Sequence, residues 1–196
     1  MVAVIDYNAG NIRSVLYALE RIGVEHTLTA DHDVIRRADK VIFPGVGAAA
    51  STMAHLNETG LTELIRSLRQ PVFGICVGMQ LLCAHSEEGD VDCIGVFPER
   101  VKRFLPGNGD KVPHMGWNTV GLTERNDWVS PAADGGYCYY VHSYYVEPGP
   151  HTVATTTYAG VEYAAMLRKD NYYAAQFHPE KSAGVGEGIL RDFLAS

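Results

Sequence analysis

A cysteine at the centre of a glycine-flanked segment is the first candidate for chemistry. Cys76 lies in the segment Gly74-Ile75-Cys76-Val77-Gly78, which has the form of a nucleophile elbow, a tight turn between a strand and a helix. Glycines two positions on either side let the strand and the helix approach closely, and the positive end of the helix favours thiolate over thiol. Chance glycines could produce the same pattern, but the apolar run before it and the helical pattern after it favour the elbow.

A nucleophilic cysteine needs a general base and a group that orients the base, and one histidine has a suitable neighbour. His178 and Glu180 are separated by Pro179 in the segment QFHPE, and residues two apart in an extended chain point the same way. The sequence therefore predicts a triad of Cys76, His178 and Glu180. The alternative is a surface histidine near a loop glutamate, with a structural role only. It is the expectation for the other seven: His26, His32, His55, His85, His114, His142 and His151.

Acyl chemistry also needs hydrogen-bond donors for the oxyanion of the tetrahedral intermediate. The backbone N–H of Val77, directly after the cysteine, is one candidate. The second is a backbone N–H in Gly45-Val46-Gly47, because glycines let a loop turn an amide toward the cysteine. A plain turn after a strand is the alternative for this loop. Triad, elbow and glycine loop together favour thiol-based acyl transfer.

These residues need a scaffold, and the first half of the chain alternates apolar runs with helical patterns. The runs predict strands at residues 2–6, 24–29, 41–43 and 72–75, and apolar spacing predicts helices at 12–22, 61–68 and from 79 onwards, the first ending at Gly23. This alternation implies a parallel sheet covered on both faces, in which ligands bind at the carboxyl ends of the strands. The glycine breaks at 44–47 and 74–78 follow two of these strands, so the site is expected between them.

The second half of the chain predicts an added antiparallel section. Strand-like runs at 100–105, 137–146, 151–157 and 172–177 follow one another with turns between them, and a helix is expected at 187–194. The predicted architecture is α/β: three layers, with a mostly parallel sheet, helices on both faces and an antiparallel section.

Length and composition limit the classes of function. The 196 residues predict one domain, 1–196, and the net charge of −7 disfavours nucleic acid or an anionic membrane as partner. No apolar run reaches the roughly 20 residues of a membrane span, so a cytoplasmic protein is expected. The spacing of the cysteines contains no CxxC pair, so a zinc ribbon is not expected. Disulfides are not expected either, because a cytosolic chain of this size has an adequate core without them. Apart from Cys76, the cysteines are expected to be small buried hydrophobes: Cys83, Cys93 and Cys138.

Segments spread over the whole chain resemble the class I (triad) glutamine amidotransferases. They are IDYNAGNIRSV at 5–15, FPGVGA at 43–48, GICVGMQLL at 74–82, SEEG at 86–89, VPHMGWN at 112–118, YYVHSYY at 139–145 and QFHPEKS at 176–182. The elbow and the HPE segment are typical of the family. The PGVGA loop, the HMGWN segment and the NAGN turn resemble the branch formed by glutaminase subunits of imidazole glycerol phosphate synthase. The resemblance implies a flavodoxin-like fold and no cofactor or metal.

The resemblance implies that the chain releases ammonia from glutamine. Cys76 would attack the side-chain amide to form a thioester, His178 would protonate the departing ammonia and later activate water, and Glu180 would hold the histidine in its working tautomer. By the same likeness, four residues would bind the α-amino and carboxylate groups of glutamine: Gln80, Glu88, Ser143 and Tyr144. Glu87 is the alternative to its neighbour Glu88.

In this branch the ammonia passes to a separate (β/α)8 cyclase subunit, which uses it in histidine biosynthesis. The likeness puts six residues at or near that interface: Asn8, Asn11, Met115, Trp117, Tyr139 and Lys181. For Trp117 and Tyr139, packing in the core is the alternative. Alternatives for the whole chain are the glutaminase of another amidotransferase (surface-sugar, pyridoxal phosphate or anthranilate type), a non-catalytic regulator on the same fold, and a free-standing thiol hydrolase.

Overall fold

The structure is a computed structural model that describes residues 1–7, 12–45, 47–105, 107 and 110–196. The helices are α1 (Arg13–Ile22), α2 (His32–Arg37), α3 (Ala49–Glu58), α4 (Leu61–Ser67), α5 (Val77–Leu82) and α6 (Ala183–Ala195). The strands are β1 (Val2–Ile5), β2 (His26–Thr29), β3 (Lys40–Phe43), β4 (Val72–Ile75), β5 (His85–Ser86), β6 (Val91–Asp92), β7 (Arg100–Arg103), β8 (His114–Thr119), β9 (Gly121–Leu122), β10 (Tyr137–His142), β11 (Tyr144–Val146), β12 (Thr152–Tyr158), β13 (Val161–Lys169) and β14 (Tyr172–Ala175).

Five neighbouring strands form the parallel half of the main sheet, in the order β2-β1-β3-β4-β14. This is the strand order of flavodoxin-like folds. Strands β1, β4 and β14 are buried along their whole length, which is why they read as short continuous apolar runs rather than as alternating patterns. The predicted parallel sheet is confirmed.

The helices cover both faces of this sheet. From β1 the chain crosses to β2 on one side through α1, and from β3 it crosses to β4 on the other side through α3 and α4. Since such crossovers are right-handed, the two connections lie on opposite faces. Helix α1 accordingly contacts α6, whereas α3 contacts α4 and α5. The first helix ends at Gly23, whose φ of 81° gives the left-handed cap expected from the sequence.

An antiparallel section continues the sheet beyond β14 through β13, β11 and β7, and β12 pairs with β13 and β9. The prediction of such a section is confirmed. The single strand expected at 137–146 is wrong, because the chain breaks at Ser143. Strand β10 before the break pairs with β8 in a separate two-stranded sheet, and β11 after it joins the main sheet. Ser143 lies at the junction, where its carbonyl accepts the backbone N–H of Phe104.

Several elements or boundaries differ from the sequence prediction. Helix α2 was not expected from the sequence, because it has only six residues. The Asp31 side chain caps it by accepting two backbone N–H groups. Strands β8 and β13 were also missed, while β2, β7 and β14 are shorter than the runs at 24–29, 100–105 and 172–177.

The last helix begins at Ala183 rather than at residue 187. Its first turn contains glycines that weaken the helical pattern. One of them is required by packing, because a Cβ on Gly186 would lie 2.0 Å from the carbonyl oxygen of Pro179.

Within the described part of the chain, no helix is long and apolar enough to cross a membrane, and no group of His, Cys, Asp or Glu is arranged to hold a metal ion. The four cysteines are buried free thiols.

Candidate active site

Three neighbouring parallel strands, β3, β4 and β14, end at one edge of the sheet, and each leads into a segment that the sequence singled out. The glycine loop follows β3, Cys76 follows β4, and His178 lies just beyond β14. The backbone N–H of Cys76 donates to the carbonyl of Ala175 at 2.8 Å, which ties the two strand ends together. The three segments meet around a cavity of about 360 Å³, lined by Gly45, Gly47, Cys76, Val77, Gln80, Glu88, Pro113, Val141, His142, Ser143, Tyr144 and His178.

Cys76 has the backbone conformation of an elbow, with φ 54° and ψ −112°, and α5 begins at the next residue. Non-glycine residues rarely adopt this region, and they persist there only when the surroundings hold them. Those surroundings are contacts between glycines: a Cβ on Gly45 would lie 1.9 Å from the nitrogen of Gly78, and one on Gly78 would lie 2.1 Å from the oxygen of Phe43. A Cβ on Gly74 would meet Leu82 at 2.7 Å. Glycine is therefore required at positions 45 and 78, where the atoms met are backbone, whereas a Cβ at position 74 would need the Leu82 side chain to move.

The sulfur of Cys76 is enclosed by groups from strand β10 and from the segment that follows β14. The carbonyl oxygen of Val141 in β10 lies 3.9 Å from Sγ, and Nε2 of Gln176 lies 3.8 Å from it. His178 lines the same cavity, and its interaction with Cys76 is one of the causes that raise the pKa of the histidine. Only 3% of Cys76 is exposed, so its access to solvent is through the cavity.

His178 and Glu180 form a buried ion pair, with Nδ1 of the histidine 2.8 Å from Oε1 of the glutamate. Burial by itself would lower the pKa of His178, but hydrogen bonds to Cys76 and Glu180 and the charges of both groups raise it to about 10. Ser14, in the first turn of α1, lies 3.5 Å from the same carboxylate oxygen, and this helix end favours negative charge. The structure thus brings all three predicted triad residues together.

The backbone around His178 is fixed to strand β10 by a ring of three hydrogen bonds. The N–H of His178 donates to the carbonyl of Tyr139 at 2.9 Å, the N–H of Tyr139 donates to Oγ of Ser182 at 2.9 Å, and that hydroxyl donates to the carbonyl of His178 at 2.6 Å. Ser182 is fully buried. The position of the histidine therefore depends on β10 as well as on β14.

The residues expected to stabilise an oxyanion lie at the same end of the cavity. Val77 is the first residue of α5, and the N–H groups of a first turn have no partner within their helix. Gly45 and Gly47 both line the cavity, and Gly47 has φ 112°. Val46 lies outside the described residues.

The four residues expected to bind substrate all line the cavity. Nε2 of Gln80 donates to the carbonyl of Tyr144 at 2.8 Å, and Glu88 accepts the backbone N–H of Ala49 at 2.9 Å. Glu87 instead faces Lys102 and the backbone of Arg103, away from the cavity. Of the two neighbouring glutamates, Glu88 is therefore the one that lines the cavity.

Four residues around the site were missed or assigned otherwise: Pro113, Val141, His142 and Gln176. Gln176 lies two residues before His178, so the period-two argument that paired His178 with Glu180 could have found it. His142 was expected to be structural, yet it lines the cavity, and its Nδ1 donates to the carbonyl of Tyr144 at 2.7 Å. Burial lowers the pKa of His142 to about 3, so its ring is neutral near pH 7.

Three of the six residues expected at an interface, Met115, Trp117 and Tyr139, lie on the outer face of the β8–β10 sheet. Trp117 and Tyr139 are cross-strand partners whose rings meet edge to face at 6.0 Å. Met115 and Trp117 are 64% and 53% exposed, so core packing is excluded for the tryptophan. Lys181 is partly exposed in the turn after His178. Asn8 and Asn11 lie outside the described residues.

Comparisons with known proteins agree with this geometry. Residues 3–196 match the family described as "Glutamine amidotransferase class-I". The chain is 58% identical to imidazole glycerol phosphate synthase subunit HisH of Bacteroides thetaiotaomicron, with 98% of both chains covered. It is 48% identical to the subunit of the same name from Idiomarina loihiensis, with 98% of this chain and 96% of that one covered.

Solved structures share the fold. A glutamine amidotransferase superposes with a TM-score of 0.75 at 18% identity, covering 100% of this chain and 98% of that one. PurLQS from Thermotoga maritima superposes with a TM-score of 0.72 at 17% identity, covering 99% and 97%. The match over residues 3–196, together with relatives at this level of identity, establishes the relationship. The chain belongs to the class I glutamine amidotransferase family.

Proposed function

We propose that the chain is the glutaminase subunit of imidazole glycerol phosphate synthase, which hydrolyses glutamine to glutamate and ammonia for use by a cyclase subunit in histidine biosynthesis. The observation that carries the proposal is the buried triad of Cys76, His178 and Glu180 at the strand ends of a chain 58% identical to a subunit of that name. A biosynthetic role of this kind is cytoplasmic.

The triad geometry supports a thioester mechanism. The thiolate of Cys76 attacks the amide carbon of the glutamine side chain, and the oxyanion that forms accepts the N–H of Val77 and a second N–H from the glycine loop. Because Nδ1 of His178 is bound to Glu180, Nε2 carries the proton that passes to the amide nitrogen, and ammonia leaves as the C–N bond breaks. Water then gives a proton to Nε2 and attacks the thioester, and breaking of the C–S bond releases glutamate.

The raised pKa of His178 fits the first of these steps. A histidine that is protonated near pH 7 beside Cys76 stabilises the thiolate and holds the proton that the leaving nitrogen requires. Glu180 supports this state, since its buried carboxylate lies 2.8 Å from the ring nitrogen that faces away from the cavity.

The far end of the cavity suits the α-ammonium group of glutamine. Nε2 of Gln80 uses both of its hydrogens within the protein, toward the carbonyl of Tyr144 and toward Oε1 of Gln176. Only Oε1 of Gln80 is left to face a ligand, and it can only accept. Glu88, which also lines the cavity, is a second acceptor. Two acceptors favour a cationic group over a carboxylate.

The outer face of the β8–β10 sheet, formed by Met115, Trp117, Tyr137 and Tyr139, is the proposed docking surface for the cyclase subunit. Three of these side chains are more than half exposed, and exposed aromatic residues and methionine are typical of interfaces. The surface adjoins the active site, because Val141, which follows Tyr139 in the same strand, lines the cavity. Ammonia formed at Cys76 would thus be released beside the docked partner, as passage into a second subunit requires.

Substitution of Cys76 tests the proposal. Cys76→Ala should abolish glutamate release by the complex with the cyclase subunit, while ammonium chloride should still support formation of the cyclase product. Cys93→Ala is the matched control, because burial raises the pKa of that thiol to about 12 and the residue does not line the cavity. Glutamate release by Cys76→Ala would contradict the thioester, and failure of ammonium to rescue the product would contradict the division of labour.

A further inference from the structure

We propose that Gln176 is a further catalytic residue, whose side-chain amide donates a hydrogen bond to Sγ of Cys76 and stabilises the thiolate. The inference deepens the proposed function and rests on the role of Cys76 as the nucleophile. Nε2 of Gln176 lies 3.8 Å from the sulfur, which is within the range of hydrogen bonds to sulfur. The sulfur is the atom that attacks the substrate, so the contact is made to a reacting atom.

The orientation of the Gln176 amide follows from a chain of hydrogen bonds that begins at the carbonyl of Tyr144 and passes through Gln80. The carbonyl oxygen of Tyr144 can only accept, so the Gln80 atom 2.8 Å from it must be Nε2. The second hydrogen on that nitrogen requires an acceptor, and the Gln176 atom 2.9 Å away must therefore be Oε1. The remaining atom of the Gln176 amide, which faces Cys76, is then the nitrogen. Its N–H groups are donors only.

The starting carbonyl is itself held by two donors. Nδ1 of His142 lies 2.7 Å from the oxygen of Tyr144, on which Gln80 also converges. Since the ring of His142 is neutral, Nδ1 carries its one hydrogen and donates it. The chain from Tyr144 through Gln80 to Gln176 thus has one consistent set of donors and acceptors.

Two uncharged contacts at the sulfur favour opposite protonation states. The carbonyl oxygen of Val141, 3.9 Å from Sγ, can accept the hydrogen of the thiol, whereas Nε2 of Gln176 can donate to the thiolate. A carbonyl beside a thiolate is unfavourable, so a donor is needed to offset it. Gln176 is fully buried and Cys76 is 3% exposed, and a hydrogen bond to a charged group is strong in such an environment.

The titratable groups that line the cavity around Cys76 are Glu88, His142, Tyr144 and His178. Of these, His178, whose pKa is raised by its interactions with Cys76 and Glu180, favours the thiolate by charge when it is protonated. Gln176 acts on the same equilibrium without a charge of its own, and its effect should therefore persist when the ionic strength is raised.

Alkylation of Cys76 tests the inference without relying on turnover. The rate of its reaction with iodoacetamide is measured against pH on the full chain, with the modified residue located by mass spectrometry. Gln176→Met keeps the length of the side chain but lacks the donor, so the apparent pKa for alkylation should rise by about one unit, an about tenfold loss of thiolate at a fixed pH. Thr62→Val is the matched control, since Thr62 is a buried polar residue that bonds to Asn57 in another part of the fold.

The outcomes separate this inference from the proposed function. If Cys76 in the unsubstituted chain is alkylated with a normal pH profile and Gln176→Met gives the same apparent pKa, the role of Gln176 alone is overturned. Resistance of Cys76 to alkylation at every pH in the unsubstituted chain would overturn its role as nucleophile, and the inference with it. If Gln176→Met does not fold, NMR of the unsubstituted chain decides. The side-chain amide proton of Gln176 should shift as Cys76 ionises and should lose that shift in Cys76→Ala, whereas no response to ionisation would refute the contact.

Discussion

The close approach of the glycine loop to the elbow yields a sharp prediction for Gly45→Ala. The added Cβ would lie 1.9 Å from the nitrogen of Gly78, and the contact must lengthen to at least 3.0 Å, an opening of about 1.1 Å. The atoms it meets are backbone, so no side chain can turn aside. The loop and the N–H of Val77 are the two proposed sources of oxyanion donors, and this opening separates them. A misplacement of about 1 Å costs about 10²-fold in rate, and loss of one oxyanion donor costs about 10²–10³-fold.

The expected result is therefore a fall in kcat for glutamine of about 10²-fold. It is assayed as glutamate release by the complex with the cyclase subunit and its ligand. Overpacking should also lower the free energy of unfolding by about 1–3 kcal/mol, so turnover is measured well below the unfolding temperature. Alkylation of Cys76 by iodoacetamide should survive, because the nucleophile stays in place.

Gly188→Ala is the matched control for this experiment. A Cβ at that position, in the interior of α6, meets nothing within 4 Å, so turnover should be unchanged and stability should rise by about 0.5–1 kcal/mol. Unchanged turnover in Gly45→Ala would refute the reasoning that the glycine contact sets the geometry of the oxyanion site.

Two further substitutions test the base and the docking surface. Glu180→Gln keeps an acceptor oxygen but removes the negative charge that helps raise the pKa of His178 to about 10. The pKa measured by NMR titration of the ring should therefore fall, and an unchanged value would contradict the ion pair. Trp117→Ala should weaken binding of the cyclase subunit by about 10- to 100-fold while Cys76 alkylation stays the same. Leu28→Ala, on the edge strand β2, is the control and should leave the dissociation constant for the cyclase subunit unchanged. An equal loss of affinity in both variants would count against the proposed surface.

Local patterns were enough to find the elements that carry the proposed catalytic residues. The elbow and the His178–Glu180 pair depend on neighbours within two residues, and the strand ends that bring Cys76 and His178 together follow from the order of a parallel sheet. The same period-two spacing could have placed Gln176 beside the site, but it could not have given the direction of the hydrogen bond from Gln176 to Cys76. That direction depends on the rotation of two amides, Gln80 and Gln176, which is decided by the carbonyl of Tyr144 in a separate part of the sequence.

The break of the strand at Ser143 was missed because both halves are strongly strand-like. The residues before and after the break are rich in tyrosine and valine, and nothing in their pattern reveals that they join different sheets. The deciding contacts are distant in sequence: Tyr137 to His142 pair with β8, and Tyr144 to Val146 pair with β7. At this break Ser143 and Tyr144 line the cavity, where they are proposed to bind substrate.

Strand β10 links the proposed docking surface to both reacting side chains. On one side its residues Tyr139 and Val141 pair with Trp117 and Met115, which are exposed. The backbone of the same two residues reaches the triad: the carbonyl of Tyr139 accepts the N–H of His178 at 2.9 Å, and that of Val141 lies 3.9 Å from Sγ of Cys76. A partner that shifts β10 by a fraction of an ångström would therefore alter the position of the base and the protonation of the nucleophile together. A glutaminase built in this way can respond to its partner without any contact between the partner and the catalytic side chains.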